Sequence, residues 1–172
     1  MRRGVYALAA VTATIAAVTP TAPAARRPAT DCTVEPGTHL ALTRSYRFVL
    51  RLGPVENMFM PYQVRASHPK HGEVMLRGKM VMPTHGPLHH LEVHICRTPT
   101  RVVVTDANPT IVLVDNTAHG QPHKLPVAVM QGIGQGRADL HYGNNVAMPH
   151  HHRYTITVTL RSERATFGLR AP

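Results

Sequence analysis

Prolines and glycines interrupt this chain of 172 residues so often that long helices have no room to form. It holds 15 prolines and 12 glycines, and beyond residue 24 no window keeps the 3.6-residue periodicity of an amphipathic helix. Short runs in which apolar and polar residues alternate predict half-buried strands instead. These runs are 46–52, 73–80, 88–95, 101–105, 110–114, 126–130, 154–160 and 165–169. Seven or eight short strands separated by turn residues predict an all-β, antiparallel β-sandwich.

The first 24 residues have the pattern of an export signal. Arg2 and Arg3 form a positive head, an apolar run follows over 5–18, and residues 21–25 offer an A-x-A cleavage site. The apolar run is too short to predict a transmembrane helix. We therefore expect a signal peptide over 1–24, a flexible arm over 25–43 and the sandwich domain over 44–172. The mature protein is expected in the periplasm or at the exterior of the cell envelope.

The charge balance is strongly basic. The formal net charge is +10 and falls to +8 when Arg2 and Arg3 are removed with the signal. A basic exported protein can make weak contacts with anionic lipid or cell-wall polymer, although a merely solvated surface explains the charge as well. Nucleic-acid binding is disfavoured, because the arginines are scattered and aromatic residues make up only 5% of the chain.

The two cysteines, Cys32 and Cys96, suggest a bridge in an oxidising compartment. Such a bridge would tie the arm to the end of the run 88–95. Two alternatives stay open at the level of sequence: Cys32 as a lipid anchor, although the residues before it form a poor lipobox, and Cys96 as a soft metal ligand.

The run 88–95 carries the strongest chemical signal. In a strand its apolar residues point to one face, whereas His90, Glu92 and His94 line the other. The Cα atoms of His90 and Glu92 would lie roughly 6.5 Å apart, close enough for their side chains to share one ion. Two imidazoles and a carboxylate on one strand face therefore predict a metal site.

Further candidate ligands come from the segment after residue 125. Met130 ends a predicted strand, and His141 follows a glycine-rich turn that allows the chain to return. Imidazole suits copper, iron and zinc, thioether selects copper(I), and carboxylate favours harder ions. A site of histidine, methionine and glutamate would thus hold a copper or iron ion. In the alternative without a metal, His90 and Glu92 form a surface pair, Met130 belongs to the core, and His141 caps its turn.

Taken in order, five motifs resemble the exported high-affinity iron-transport family. They are Glu-Asn-Met at 56–58, His-Pro-Lys-His-Gly-Glu-Val-Met at 68–75, His-Leu-Glu-Val-His-Ile at 90–95, Leu-Pro-Val-Ala-Val-Met at 125–130 and Asp-Leu-His-Tyr-Gly-Asn-Asn-Val at 139–146. The resemblance implies an immunoglobulin- or cupredoxin-like sandwich, a homodimer and an iron permease as the membrane partner.

The same resemblance implies that His90, Glu92, Met130 and His141 hold copper, with the glutamate able to shift toward iron. This chain has no evident counterpart for a further histidine near the family's C-terminus. His94, or one of the histidines at 150–152, could take its place. Glu56 and Glu73 are further candidates, as oxygen ligands for a second ion.

Three functions follow from these patterns. The first is an exported metal-binding protein that takes up iron, with copper as a redox partner, and passes the iron to a permease. The second is an adhesion or interaction module of the cell envelope without a specific metal site. The third, a zinc hydrolase, is disfavoured because no general base is evident beside the candidate ligands. We therefore expect a protein that is not an enzyme.

Overall fold

A computed structural model describes residues 32–172, which form two β-sheets, one short α-helix and one turn of 3₁₀ helix. The predicted signal peptide and the beginning of the predicted arm lie outside these residues. The strands are β1 (Thr38–Leu42), β2 (Tyr46–Pro54), β3 (Met58–Phe59), β4 (Glu73–Gly78), β5 (Leu88–Arg97), β6 (Thr110–Asp115), β7 (His123–Leu125), β8 (Ala128–Gly132), β9 (His141–Ala147), β10 (Arg153–Leu160) and β11 (Glu163–Arg170). Helix α1 spans Pro61–Ser67, and the 3₁₀ turn spans Gly136–Asp139.

The two sheets make an open sandwich, which confirms the predicted all-β class. The larger sheet has the order β1-β2-β5-β9-β8-β4-β3, and the smaller one has the order β11-β10-β6-β7. All pairings are antiparallel except that of β3 with β4. No helix among residues 32–172 has the length and apolar character needed to cross a membrane.

Strand β5 lies near the middle of the larger sheet, between β2 and β9. Its side chains Leu91, Val93 and Ile95 are fully buried in the main core, together with residues such as Ile156 and Val158 from the smaller sheet. Because strand side chains alternate, the intervening residues of β5 face away from the second sheet. The candidate ligands of β5 therefore lie on the outer face of the larger sheet.

Seven of the eight predicted strands overlap observed ones, but strands β3, β7 and β9 and helix α1 lie where the sequence predicts no regular element. There are three further differences. Residues 101–105 do not form a strand but only isolated bridge contacts, among them that between Val103 and Cys96. The strand expected over 126–130 begins two residues later, at Ala128. Part of the predicted arm, Thr38–Leu42, is an edge strand paired with β2, and its apolar residues Leu40 and Leu42 stay exposed.

Cys32 and Cys96 form a disulfide, as the sequence suggested. Both residues are buried, and the bridge fixes the chain before β1 against the end of β5. The carbonyl oxygen of Cys32 also accepts a hydrogen bond from Nε of Arg47, on the neighbouring strand β2. The lipid-anchor and metal-ligand alternatives for these cysteines are therefore wrong for the structure described.

We predict that replacing both cysteines by serine lowers the free energy of unfolding by about 4 kcal/mol, because the bridge closes a long loop in the unfolded chain. The two cysteines are 64 residues apart in sequence. Urea unfolding of the oxidised protein and of the double variant measures the difference. Equal free energies of unfolding would show that the bridge does not stabilise the folded chain.

Candidate metal centre

Two fully buried histidines form the centre of the outer face. His90 on β5 and His141 at the start of β9 are both 0% exposed. Their Nε2 atoms lie 3.5 Å apart, and their rings are nearly perpendicular, at 84°. Phenylalanine would fill such a place without polar atoms, so two imidazoles here need a chemical reason.

Asn145 on β9 determines which nitrogen of His90 carries the proton. The Oδ1 atom of Asn145 accepts a hydrogen bond from the backbone N–H of Glu56, and its Nδ2 donates to the carbonyl of the same residue. These two bonds fix the orientation of the amide, so Oδ1 is the atom that faces His90. Nδ1 of His90, 2.8 Å away, must therefore be the donor. In the neutral ring, Nε2 is left with its lone pair.

His141 is held in the same tautomer by the backbone. Its Nδ1 donates to the carbonyl oxygen of Asp139 at 2.8 Å, and a carbonyl can only accept. Burial lowers the pKa of His141 to about 4, against the opposing influence of Glu92, so the ring is neutral at pH 7. Its Nε2 lone pair thus faces the lone pair of His90.

Glu73, the first residue of β4, brings a carboxyl group to the same point. Its Oε2 lies 3.6 Å from Nε2 of His141 and has no hydrogen-bond partner among the described residues. Burial raises the pKa of Glu73 to about 8, and the carboxylates of Asp139, Glu92 and Glu56 add to the rise. Glu73 is therefore protonated at neutral pH. One ligand atom from each of Glu73, His90 and His141 lies within 4.8 Å of the others.

A second group of possible ligands shares His141. It consists of Glu92, His94 and His141, again with one atom from each within 4.8 Å. Nε2 of His94 lies 3.3 Å from Oε2 of Glu92, and Arg51 Nη1 lies 3.9 Å from the same oxygen. Burial acts to raise the pKa of Glu92, but the hydrogen bond from His94 and nearby cationic groups including Arg51 outweigh it, and the pKa falls to about 2. Glu92 is ionised at any working pH.

Met130 lies beside His141 on the adjacent strand. The two residues are paired in register across β8 and β9, so their side chains share the outer face. Met130 is fully buried in a small apolar cluster that is separate from the main core. The cluster is almost entirely methionine, with Met58, Met75, Ala128 and Met130 buried and Met60 and Met80 packed against them.

The segment His-Tyr-Gly-Asn-Asn explains how β9 supports the site. Tyr142 donates its hydroxyl to the carbonyl of Val104, on the side facing the core. A Cβ at Gly143 would overlap the backbone carbonyl oxygen of Leu91, so only glycine allows β9 to approach β5 this closely. Asn144 binds three backbone groups of the neighbouring loops, those of Lys79, Val81 and Pro126. Each residue of the segment thus has a structural task.

An open pocket of about 480 Å³ reaches Glu73 and Glu92 from the surface. Although the chain has only nine acidic residues, four of them line this pocket: Glu56, Glu73, Glu92 and Asp139. Arg51 and Lys70 are its basic lining residues. Because four carboxyl groups lie at one pocket, the local electrostatic potential there favours cations even though the whole chain is basic.

The structure brings the five sequence-predicted ligands together on one sheet face: His90, Glu92, His94, Met130 and His141. The histidines at 150–152 lie elsewhere, in the turn before β10, and do not complete this site. Sequence reasoning gave Glu73 only a minor part and did not notice the orienting roles of Asn145 and Asp139. Two consecutive asparagines follow the His-Tyr-Gly motif, in a strand that is buried almost throughout. This pair of polar residues is the signal that could have pointed to Asn145.

Comparison with known proteins identifies no family. No family model matches the chain, and no curated protein is similar to it. Among solved structures, a protein of the DUF4426 family from Pseudomonas aeruginosa PAO1 matches with a TM-score of 0.43 and 12% identity. The match covers 77% of this chain and 91% of that one. None of these comparisons identifies the iron-transport family that the sequence motifs resemble.

We predict that Glu73 makes the metal-free protein less stable as the pH rises from 6.5 to 8. The folded chain keeps a proton on Glu73 up to a pKa of about 8, whereas the unfolded chain releases it near 4.5. The stabilisation is therefore complete below pH 4.5 and is lost as the pH rises through 8, by at most about 1.4 kcal/mol per pH unit. His141, with its lowered pKa, loses stability in the opposite direction, as the pH falls from 6.5 to 4.

Thermal unfolding of chelator-treated protein at four pH values between 6.5 and 8 checks this prediction. The matched variant Glu73→Gln keeps the shape of the side chain but cannot titrate, so its melting temperature should vary less over this range. Equal pH slopes for the two proteins would contradict a raised pKa at Glu73.

Proposed function

We propose that this protein is an exported metal-binding protein that holds one copper or iron ion between Glu73, His90 and His141. One observation carries the proposal: two imidazole nitrogens whose lone pairs face each other across 3.5 Å, with an unpartnered carboxyl oxygen beside them. In a buried site such an arrangement is unfavourable unless a cation lies among the three atoms.

The distances support this proposal. Ligand atoms that are about 2.0–2.1 Å from an ion in tetrahedral geometry lie about 3.4 Å from one another. The distances from His141 Nε2 to His90 Nε2 and to Glu73 Oε2 are 3.5 and 3.6 Å. In addition, both histidines donate their Nδ1–H to oxygen acceptors, as metal-binding histidines commonly do. Little rearrangement is therefore needed for the three residues to bind an ion.

The donor types favour iron and copper. Two histidines and one carboxylate are a ligand set found with iron(II), and the neighbouring thioether of Met130 suits copper in its reduced state. The same two-histidine, one-glutamate set also occurs in zinc hydrolases, which need a general base with a pKa near neutrality. Glu92, with a pKa of about 2, is a poor base. We therefore propose a binding and transport role rather than catalysis.

The role in iron uptake is supported by the sequence alone. The predicted export signal and the five motifs resemble exported iron-transport proteins, which implies delivery of iron to a membrane permease. The acidic pocket above Glu73 and Glu92 gives an ion a route between the site and the surface. We propose that the ion enters and leaves by this pocket and that a permease receives iron there.

We predict that the metal-free protein binds about one copper(II) ion tightly and that His90→Ala weakens this binding by at least about tenfold, which corresponds to about 1.4 kcal/mol. Anaerobic iron(II) should compete for the same site. Calorimetric titration measures both. The control is His123→Ala, which removes an exposed histidine of the smaller sheet and should leave the affinity unchanged. Equal affinities of His90→Ala and the wild type would refute the proposed site.

The same titration tests the part played by Glu73. Because Glu73 is protonated at pH 7 and must be ionised to bind a cation, ion binding should release about one proton. Titration in two buffers of different ionisation enthalpy measures this proton. We expect its release to be lost in Glu73→Gln, and release that persists in this variant would exclude Glu73 as a ligand.

We predict that Met130→Leu weakens copper(I) binding about tenfold and leaves iron(II) binding unchanged, because leucine fills the space without offering sulfur. A swap of similar volume should cost less than about 1.5 kcal/mol of stability. Anaerobic competition with a chromophoric copper(I) chelator measures the affinity. Met148→Leu is the matched control, since Met148 is also fully buried but belongs to the main core. A loss of equal size in both variants would mean that Met130 acts only through packing.

A further inference from the structure

We infer that a second metal site lies at the rim of the sandwich, between His89 on β5 and His150 in the turn before β10. This site is independent of the proposed function. His89 precedes His90 and therefore faces the opposite side of β5. Its ring and that of His150 are perpendicular, with centroids 6.1 Å apart.

His89 presents a buried nitrogen without a partner. The residue is only 7% exposed, and its Nε2 has no hydrogen-bond partner among the described residues.

A contact with the main chain orients the ring of His150. Its Nδ1 donates to the main-chain oxygen of Pro172 at 2.6 Å, so in the neutral ring Nε2 keeps its lone pair. The side chain is exposed, so an ion from solvent can reach it. One histidine thus offers a buried nitrogen, and the other offers an accessible one.

A third imidazole adjoins the pair. The ring of His151 lies 6.2 Å from that of His150, at an angle of 46°. His152 belongs to a different contact, because its Nδ1 binds Oδ2 of Asp115 at 2.7 Å. A donor set made of imidazoles selects borderline divalent ions such as copper(II), nickel(II) and zinc(II) over magnesium and calcium. The site is therefore a binding place for such ions, apart from the pocket of Glu73.

Zinc(II) titration of the full metal-free chain tests this inference. We expect the wild type to bind two zinc ions, the tighter at the Glu73 centre and the weaker at the rim. His150→Ala should weaken the second event at least about tenfold and leave the first unchanged. His123→Ala, the exposed histidine control, should retain both events. Because His150 is exposed, its replacement should not prevent folding.

Long-range proton–nitrogen NMR of the imidazole rings identifies the ligands directly. On addition of zinc, the Nε2 resonances of His89 and His150 should shift together, in the wild type and in His90→Ala. A second event that His150→Ala leaves intact, or Nε2 resonances that stay in place, would overturn the inference. If instead the Glu73 centre does not exist, His90→Ala will titrate like the wild type while His150→Ala still loses one ion.

Discussion

The alternation of side chains along β5 is the constraint on which both the core and the candidate centre depend. Its apolar residues Leu91 and Val93 are fully buried between the sheets, so the register of the strand is fixed by the main core. Because side chains alternate along a strand, His90 and Glu92 must then face outward, toward His141 on β9. A slip of one residue would bury the two polar side chains among aliphatic ones and expose the apolar ones, which is strongly unfavourable. Packing on one face thereby determines the geometry of the other.

Hydrogen bonds to one side-chain amide and one backbone carbonyl determine the tautomers of the two histidines. Asn145 Oδ1 and the carbonyl oxygen of Asp139 each accept a hydrogen bond from the Nδ1–H of one imidazole. Both Nε2 atoms are therefore left as acceptors that face one point. Asn145 is itself oriented by the backbone of Glu56, in the connection that follows β2. The loop that covers the outer face therefore also determines the tautomer of His90. The same amide group therefore contacts both the loop at Glu56 and the ring of His90, which couples the conformation of this loop to the tautomer of His90.

The sequence predicts those parts of the structure whose evidence is local. The alternation of apolar and polar residues identifies β5 and β10. The expectation of an oxidising compartment suggested the bridge between Cys32 and Cys96, which the structure contains. The sequence named Glu73 only as a ligand for a second ion, because Glu73 reaches His141 through the non-sequential strand order β9-β8-β4. The edge strand β1 was also missed, since its exposed apolar residues carry no pattern that distinguishes them from an arm. Long-range pairing, which a single sequence does not display, accounts for each of these differences.

Charge balance gives the strongest reason why two carboxyl groups of opposite protonation state flank one buried imidazole. Without an ion, a fully ionised pair at Glu73 and Glu92 would place two negative charges beside a neutral His141, and the raised pKa of Glu73 shows that the fold avoids this by retaining a proton. When that proton leaves, the two carboxylates together carry −2, which matches a divalent cation. The centre is then close to neutral with an ion bound, and burial no longer opposes the charges. The number and burial of the carboxyl groups thus support the proposed cation site independently of any particular ligand distance.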